Sequence, residues 1–302
     1  MKKVAVLAVR KAGWVLLLVV GSVSWSFGQR EVLYEQYQQN PMAINPAFTG
    51  VREDFNMTAI LRRRWFFLPN APITQTFATD GTVANGKVGL GLQALNDRMS
   101  VYATTGAYGS VAYHVASTGP VKISLGIQGG VNVLPVYDFT SNTSLSRALG
   151  SFGAGIWLRT DRFYAGVSKP ELLAQGYGSR ASYGIYRRPL YVLAGGQFDL
   201  AEDLKLVPQV LVVQEAGTSL RVDVGARAWY NERIGLGASF RTAVRNYLQL
   251  SGEVQVSTNV RVGYIFNSRA IEAGANVTST GPVGMHELML KFVPNPSGFH
   301  LN

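Results

Sequence analysis

Along this chain hydrophobic and polar residues change places at every second position. In 121–133 the odd positions are Val121, Ile123, Leu125, Ile127, Gly129, Val131 and Val133, and the even ones are Lys122, Ser124, Gly126, Gln128, Gly130 and Asn132. Successive side chains of a strand point to opposite faces, so such a run predicts a strand lying between two different surroundings. The division recurs with Val88, Leu90, Leu92 and Ala94 set against Lys87, Gly89, Gly91 and Gln93. It recurs with Leu220, Val222, Val224, Ala226 and Ala228 against Arg221, Asp223, Gly225 and Arg227, and with Val254, Val256, Val260 and Val262 against Glu253, Gln255, Asn259 and Arg261. Read along the whole chain, the pattern predicts about 14 strands. They fall near 54–67, 72–83, 87–95, 102–115, 120–133, 150–158, 161–169, 181–187, 190–200, 203–215, 219–230, 232–242, 246–266 (taken as two) and 283–293. Short connections such as Thr160-Asp161 and Asn231-Glu232 contrast with longer ones expected near 134–149, 170–180 and 267–282.

Alternation alone fits a soluble β-sandwich or a lipid-facing barrel, since each has two unlike faces. Two features favour the barrel. The apolar face is Val, Leu, Ile and Ala, while the opposite face is rich in Gly and small polar residues with occasional charges. Aromatics also gather near strand ends, at Arg64-Trp65-Phe66-Phe67, Phe163-Tyr164 and Trp229-Tyr230, where a membrane girdle places amphipathic rings. A sheet in lipid has to close, because open-edge backbone groups would find no partner. The expected fold is therefore all-β: a transmembrane antiparallel β-barrel over residues 51–293. Residues 29–50 precede the regular ladder and 294–302 form a short C-terminal tail.

The first 28 residues change the charge picture. Lys2, Lys3, Arg10 and Lys11 precede the apolar stretch 12–23, and Ser26 and Gly28 put small side chains at the third and first positions before a cut at Gln29. This is the pattern of a secretory signal peptide. Its apolar run of about 12 residues is short of the ~20 that a spanning helix needs. Formal charge is +10, from 28 basic and 18 acidic residues; the leader holds four of the basic groups and none of the acidic ones, which leaves +6. The remaining basic residues are dispersed, as in Arg62-Arg63-Arg64 and Arg187-Arg188, with no nucleic-acid-binding motif, so nucleic acid is not an expected partner. The absence of Cys excludes disulfides, thiolate chemistry, Cys-bearing metal sites and a lipoprotein anchor. Hydrophobic residues at 47% and charged residues at 15% match an ordinary soluble surface poorly.

The segment after the leader contains Gln36-Tyr37, Asn40-Pro41 and Asn45-Pro46-Ala47-Phe48-Thr49-Gly50. It resembles the mature N-terminal segment of the PorP/SprF family, outer-membrane proteins of the type IX secretion and gliding machinery of the Bacteroidota. Further matching pieces are Arg64-Trp65, Ala71-Pro72-Ile73-Thr74, Gly89-Leu90-Gly91, Phe163-Tyr164-Ala165-Gly166-Val167-Ser168, Lys205-Leu206-Val207-Pro208, Gly263-Tyr264 and His286-Glu287-Leu288. The resemblance covers nearly the whole mature chain. Two departures stand out. Gly263-Tyr264 continues into Ile265-Phe266 without the usual Asp, and residues 293–302 run on beyond the last strand, where Phe292 supplies an aromatic end. The resemblance implies a multi-pass barrel of the cell outer membrane, similar in general form to the fatty-acid-transporter type and without a cofactor. It implies a role in secretion or surface attachment of cargo such as adhesins, with periplasmic type IX secretion or OmpA-like lipoproteins, secreted surface cargo and outer-membrane lipid as partners.

Two groups of residues carry the candidate function. Asn40, Pro41, Asn45, Pro46, Phe48 and Gly50 combine a restricted backbone with an aromatic ring. They predict a plug or turn wedged against the barrel wall, a partner-docking element on the periplasmic side, or both. Arg221, Asp223, Arg227, Arg241, Glu253 and Arg261, with Arg62 and Arg64, are expected to face the lumen as a compensated charge network or as the lining of an anion- or substrate-selective channel. Arg63 has the opposite parity and is expected at a strand end or bulge. His114, His286 and His300 lack metal-ligand spacing, so no metal site is expected; His286 is expected to open the last strand or to bond on the lumen side. No Gly-x-Ser-x-Gly elbow, phosphate loop or zinc-protease helix is present, and no catalytic residue is assigned. Two functions remain: a non-enzymatic secretion component, and a passive channel for a small solute.

Overall fold

The strands of a computed structural model form one antiparallel sheet that meets itself. It describes residues 37–52, 55–64, 71–99, 102–115, 119–138, 143–174, 188–215, 219–242, 246–268 and 284–294. The strands are β1 (Asn56–Arg64), β2 (Ile73–Val83), β3 (Val88–Met99), β4 (Tyr102–Val115), β5 (Lys122–Asp138), β6 (Thr143–Arg159), β7 (Phe163–Ala174) and β8 (Leu190–Gly196). They continue with β9 (Phe198–Asp199), β10 (Leu204–Gln214), β11 (Arg221–Tyr230), β12 (Ile234–Arg241), β13 (Tyr247–Gln255), β14 (Val260–Asn267) and β15 (Met285–Phe292). Neighbours in sequence are neighbours in space, and β8 and β9 both pair with β10 as two pieces of one wall position. The described strands thus make a closed 14-stranded barrel. Closure is the β1–β15 pairing, in register from Met57 opposite Phe292 to Arg64 opposite Met285.

One end of the barrel carries short turns. Asn231 and Glu232, between β11 and β12, have φ of 49° and 55°, the doubly left-handed geometry that lets a two-residue turn follow the twist of a hairpin. The β2–β3 turn does the same with Ala84, Asn85 and Gly86. β1 begins and β15 ends at this short-turn end, which is the periplasmic end in outer-membrane barrels.

The period of two becomes two surfaces. Leu125, Ile127, Val131 and Val133 on β5 point outward, while Ser124, Gln128 and Asn132 are buried inside. On β15, Leu288, Leu290 and Phe292 face out, whereas Glu287, Met289 and Lys291 face in. Arg63 is exposed at the penultimate position of β1, so of the two placements expected for it the strand end is the one found.

Several details depart from the sequence reading. The loop expected at 134–149 is mostly strand, since β5 runs to Asp138 and β6 starts at Thr143. Both strands have 17 residues, where about 9–11 cross the bilayer. Strands of that length exceed the hydrocarbon layer, and lipid imposes alternation on a sequence only within that layer. Likewise 170–174 continues β7 rather than opening a loop. Pro170 argues against a central strand by sequence, but a register shift between Phe152 and Ala154 accommodates it. Of the girdle pairs, Phe163 and Tyr230 face out, whereas Tyr164 stacks inside on Trp157 and Trp229 is fully buried. Adjacent residues of a strand cannot both face lipid. His286 is the second residue of β15 and faces outward, where its Nδ1 lies 2.5 Å from the Tyr264 hydroxyl; the inward neighbour is Glu287. The leader, Trp65 to Phe67, Arg187, the candidate strand 181–187, and the tail beyond Pro294 with His300 lie outside the described residues.

The phase of β15 predicts unequal effects at adjacent positions. Leu290→Arg puts a charge on the lipid face and costs ~2–4 kcal/mol toward the bilayer midplane. Lys291→Ser leaves that face untouched. The yield of heat-modifiable, folded barrel in outer-membrane fractions should fall for Leu290→Arg and stay near wild type for Lys291→Ser. Equal yields would contradict the phase.

Candidate functional site

Every residue from Tyr37 to Arg52 is buried. This stretch forms two 3-10 turns, Pro41–Ala43 and Pro46–Phe48, packed against the inner faces of the strands. Its sequence explains its shape. A proline at the start of each turn gives up an N–H that would have no partner there, and it holds the preceding Asn out of the helical region. Asn45 is accordingly extended, at φ −137° and ψ 108°. Its side chain does two things. Oδ1 accepts the Ala47 N–H at 3.0 Å, which fixes the second turn, and Nδ2 donates to the Ile156 carbonyl of β6 at 3.0 Å. The Asn40 carbonyl accepts the Ala43 N–H at 3.1 Å, and the Pro41 carbonyl accepts from Ile44 and Asn45 at 3.1 and 3.0 Å. Ser168 of β7 donates its hydroxyl to the Ile44 carbonyl at 2.6 Å.

Contact with the wall is backbone against backbone. A Cβ on Gly126 would stand 2.3 Å from the Ala47 nitrogen, and one on Gly89 would stand 2.0 Å from the Thr49 carbonyl oxygen. The inward glycines thus leave room that the segment occupies. Gly50 has φ +72°, and its N–H donates to Asp80 Oδ2 at 2.8 Å. The other Asp80 oxygen accepts from Asn56 Nδ2 at 2.8 Å, so one carboxylate ties the segment to the start of β1. Phe48 meets Trp157 edge-on at 5.0 Å, and the Arg52 guanidinium lies over the Phe48 ring at 5.0 Å. With Met42, Ile44, Ala47 and Val51, it forms an apolar core shared with Tyr191, Leu193, Leu211 and Val213 of the wall.

The six charged residues singled out by sequence come together as two clusters. Near the long-loop end, Arg241 Nε is 2.7 Å and Arg221 Nε 3.6 Å from the Asp223 carboxylate. Arg241 also donates to the Tyr247 hydroxyl at 2.7 Å, and its guanidinium lies 6.0 Å from the Tyr37 ring. Burial, reinforced by the Asp223 carboxylate, pushes the Tyr37 phenol up to about 12, so it stays neutral. Toward the short-turn end, Arg227 is 3.1 Å and Arg261 3.8 Å from Glu253, and Arg261 also covers the Trp229 ring at 4.6 Å. Arg62 pairs with Glu287 at 3.2 Å, and Arg64 is buried.

Sequence reasoning missed Gly89, Gly126, Asp80 and Ser168 as partners of the N-terminal segment. The available signal was glycine recurring on the inward phase, which strand propensity alone does not explain.

The model of the type IX secretion system membrane protein PorP/SprF family matches residues 26–292. No curated protein matches the chain. Among solved structures, the outer membrane protein Omp33 of Acinetobacter baumannii is 10% identical with a TM-score of 0.48, covering 80% of this chain and 99% of that one. The KdgM porin is 8% identical with a TM-score of 0.41, over 81% and 99%. A mutant of the monoaromatic hydrocarbon channel TodX is 7% identical with a TM-score of 0.44, over 79% and 87%.

The glycine contacts predict a contrast on a single strand. Gly126→Val collides with the backbone of the second turn, whereas a side chain at Gly129 meets nothing within 4 Å. In folded barrel, Gly126→Val should expose Arg52 to trypsin and Gly129→Val should not. Equal protection in both variants would mean that the segment does not depend on this contact.

Proposed function

Because the chain belongs to the PorP/SprF family of type IX secretion system membrane proteins, we propose that it is a non-enzymatic outer-membrane component of that system whose lumen is plugged by its own N-terminal segment. The plug is the described part of the 29–50 segment, which begins at Tyr37, residues 29–36 lying outside the described residues, and the barrel carries the machine's contacts on its rims. In this role it supports secretion or surface attachment of cargo such as adhesins and contacts periplasmic apparatus proteins, OmpA-like lipoproteins among them.

The observation that carries the reading is the continuous burial of residues 37–52 inside the barrel. A conduit for solute needs a path through the lumen. Here the interior is occupied by two rigid turns, an apolar core and paired charges. The prolines lower the entropy lost in ordering the segment, which favours a fixed plug over a mobile gate. The docking role of Asn40, Pro41, Asn45, Pro46, Phe48 and Gly50 then acts through the barrel: these residues hold the inner end of the periplasmic mouth in one shape that a partner can read.

Planar bilayers and copurification test the two halves separately. Wild-type protein should give no steady, solute-saturable conductance. Replacing Asn45 and Phe48 together by Ala removes the wall bond and a buried ring, a core truncation costing about 3–5 kcal/mol for the ring alone. The variant should still fold into heat-modifiable barrel but conduct, recover less periplasmic apparatus protein and display less cargo. Saturable conductance by the wild type would overturn the plug and favour a small-solute channel. Normal cargo display and partner recovery in the folded double variant would overturn the coupling.

A further inference from the structure

The periplasmic rim of the barrel is divided by charge. Three successive hairpin turns, β2–β3, β4–β5 and β6–β7, are bordered by Lys87, Lys122, Arg159 and Arg162. Lys87, Lys122 and Arg162 are exposed and Arg159 is half-buried; among the described residues of these turns the one carboxylate is Asp161. The other side of the rim, from β8 to β10 and at the β11–β12 turn, carries Asp199, Glu202, Asp203 and Glu232. There Lys205 pairs with Glu232 at 2.8 Å and with Asp199 at 3.9 Å.

The basic side is one continuous patch held by rigid turns. Lys122 and Arg159 are direct cross-strand partners, and like charges so placed repel. The Lys87 carbonyl accepts the His114 N–H at 2.8 Å, and His114 Nδ1 lies 2.7 Å from the Ser124 hydroxyl. These bonds tie Lys87, through β4, to the strand that begins at Lys122. The Lys87 N–H closes its turn on the Ala84 carbonyl at 3.3 Å. In the β6–β7 turn the Thr160 hydroxyl accepts the Arg162 and Phe163 N–H groups at 3.3 and 2.9 Å. Turns fixed in this way present their charges at little ordering cost. Lys87, Lys122 and Arg159 share the inward phase of Gly89, Ser124 and Trp157, whereas Tyr113, Leu125, Leu158 and Phe163 take the lipid side. The cations therefore border the aqueous mouth.

We infer that these three turns dock an extended acidic segment of a periplasmic protein. Successive turns lie two strands apart, ~10 Å along the rim, and an extended chain covers that distance in about three residues. Carboxylates three residues apart meet Lys87, then Lys122, then Arg159 with Arg162, a complementarity that sets register and speeds encounter. The inference deepens the secretion reading, on which it rests for the partner's compartment.

The probe is a labelled Gly-Ser peptide bearing Glu at every third position, titrated into mature barrel in nanodiscs of zwitterionic lipid and followed by fluorescence anisotropy. Binding should be saturable, fall as salt rises, and exceed that of a peptide of the same composition whose Glu residues are contiguous. Lys122→Glu combined with Arg162→Glu should weaken it at least about tenfold, since each change removes an attraction and adds a repulsion. Lys122→Glu sets a carboxylate opposite Arg159, so the fold is not at risk. Arg233→Glu, at an exposed position of the β11–β12 turn on the same rim, should bind as wild type does. Absent binding, equal binding of the two peptides, or unchanged binding in the double variant would overturn the site. Glu53 and Asp54 lie outside the described residues. Binding that appears only after Glu53→Gln with Asp54→Asn would assign the patch to the chain's own carboxylates, and loss of binding on adding anionic lipid would assign it to the membrane; either result overturns the partner. Because the assay contains no apparatus protein, its failure strikes the patch alone, whereas normal cargo display in the folded Asn45 and Phe48 variant strikes the secretion reading alone.

Discussion

A backbone in hydrocarbon has no water to bond, and the rest of this structure follows from that. Each N–H and C=O within the bilayer needs a partner in the next strand, so the first and last strands have to meet, and they do from Met57 to Arg64. Closure divides the side chains into an outer set, solvated by lipid, and an inner set enclosed by the wall. The inner set then faces its own constraint. Buried arginines and carboxylates need counter-charges, and a lumen lined with glycine leaves space that has to be filled.

The N-terminal segment meets both demands. Its turns lie so close to the wall that glycine is required opposite them, at Gly126 and Gly89, and its apolar side chains supply a core where β8 and β10 turn Leu193, Leu211 and Val213 inward. Those strands read as apolar on both faces because one face meets lipid and the other meets the plug. The charge clusters line the same lumen: Asp223 binds Arg221 and Arg241 beside Tyr37, and Glu253 binds Arg227 and Arg261 beside Trp229. Interior and wall complete each other.

What was legible in the sequence follows the same physics. Where lipid lies on one side and the lumen on the other, as along Leu125 to Val133, the period of two placed every side chain on its observed face. Beyond Val133 the alternation stops in the sequence although β5 continues to Asp138, so strand there was not legible. Aromatic pairs misled for a related reason. Trp229 and Tyr164 belong to the interior, and amphipathic rings serve inside a polar lumen as well as at a membrane surface. The six charged lumen residues were readable by parity, but their division into two clusters was not, because it depends on register between strands. The plug's contacts were the least legible. The Asn45–Ile156 bond spans 111 residues and the Ser168–Ile44 bond 124, and no local pattern carries such a distance.

The central claim is that the chain fills its own lumen, and amide hydrogen exchange of the mature protein in nanodiscs tests it most directly. The amides of Ala43, Ile44, Ala47, Phe48 and Val51 should exchange as slowly as those of the barrel strands, because they are buried and held by the turns and the wall. Rapid exchange of these amides, at free-peptide rates and with the strands still protected, would show an unfilled barrel and contradict the account.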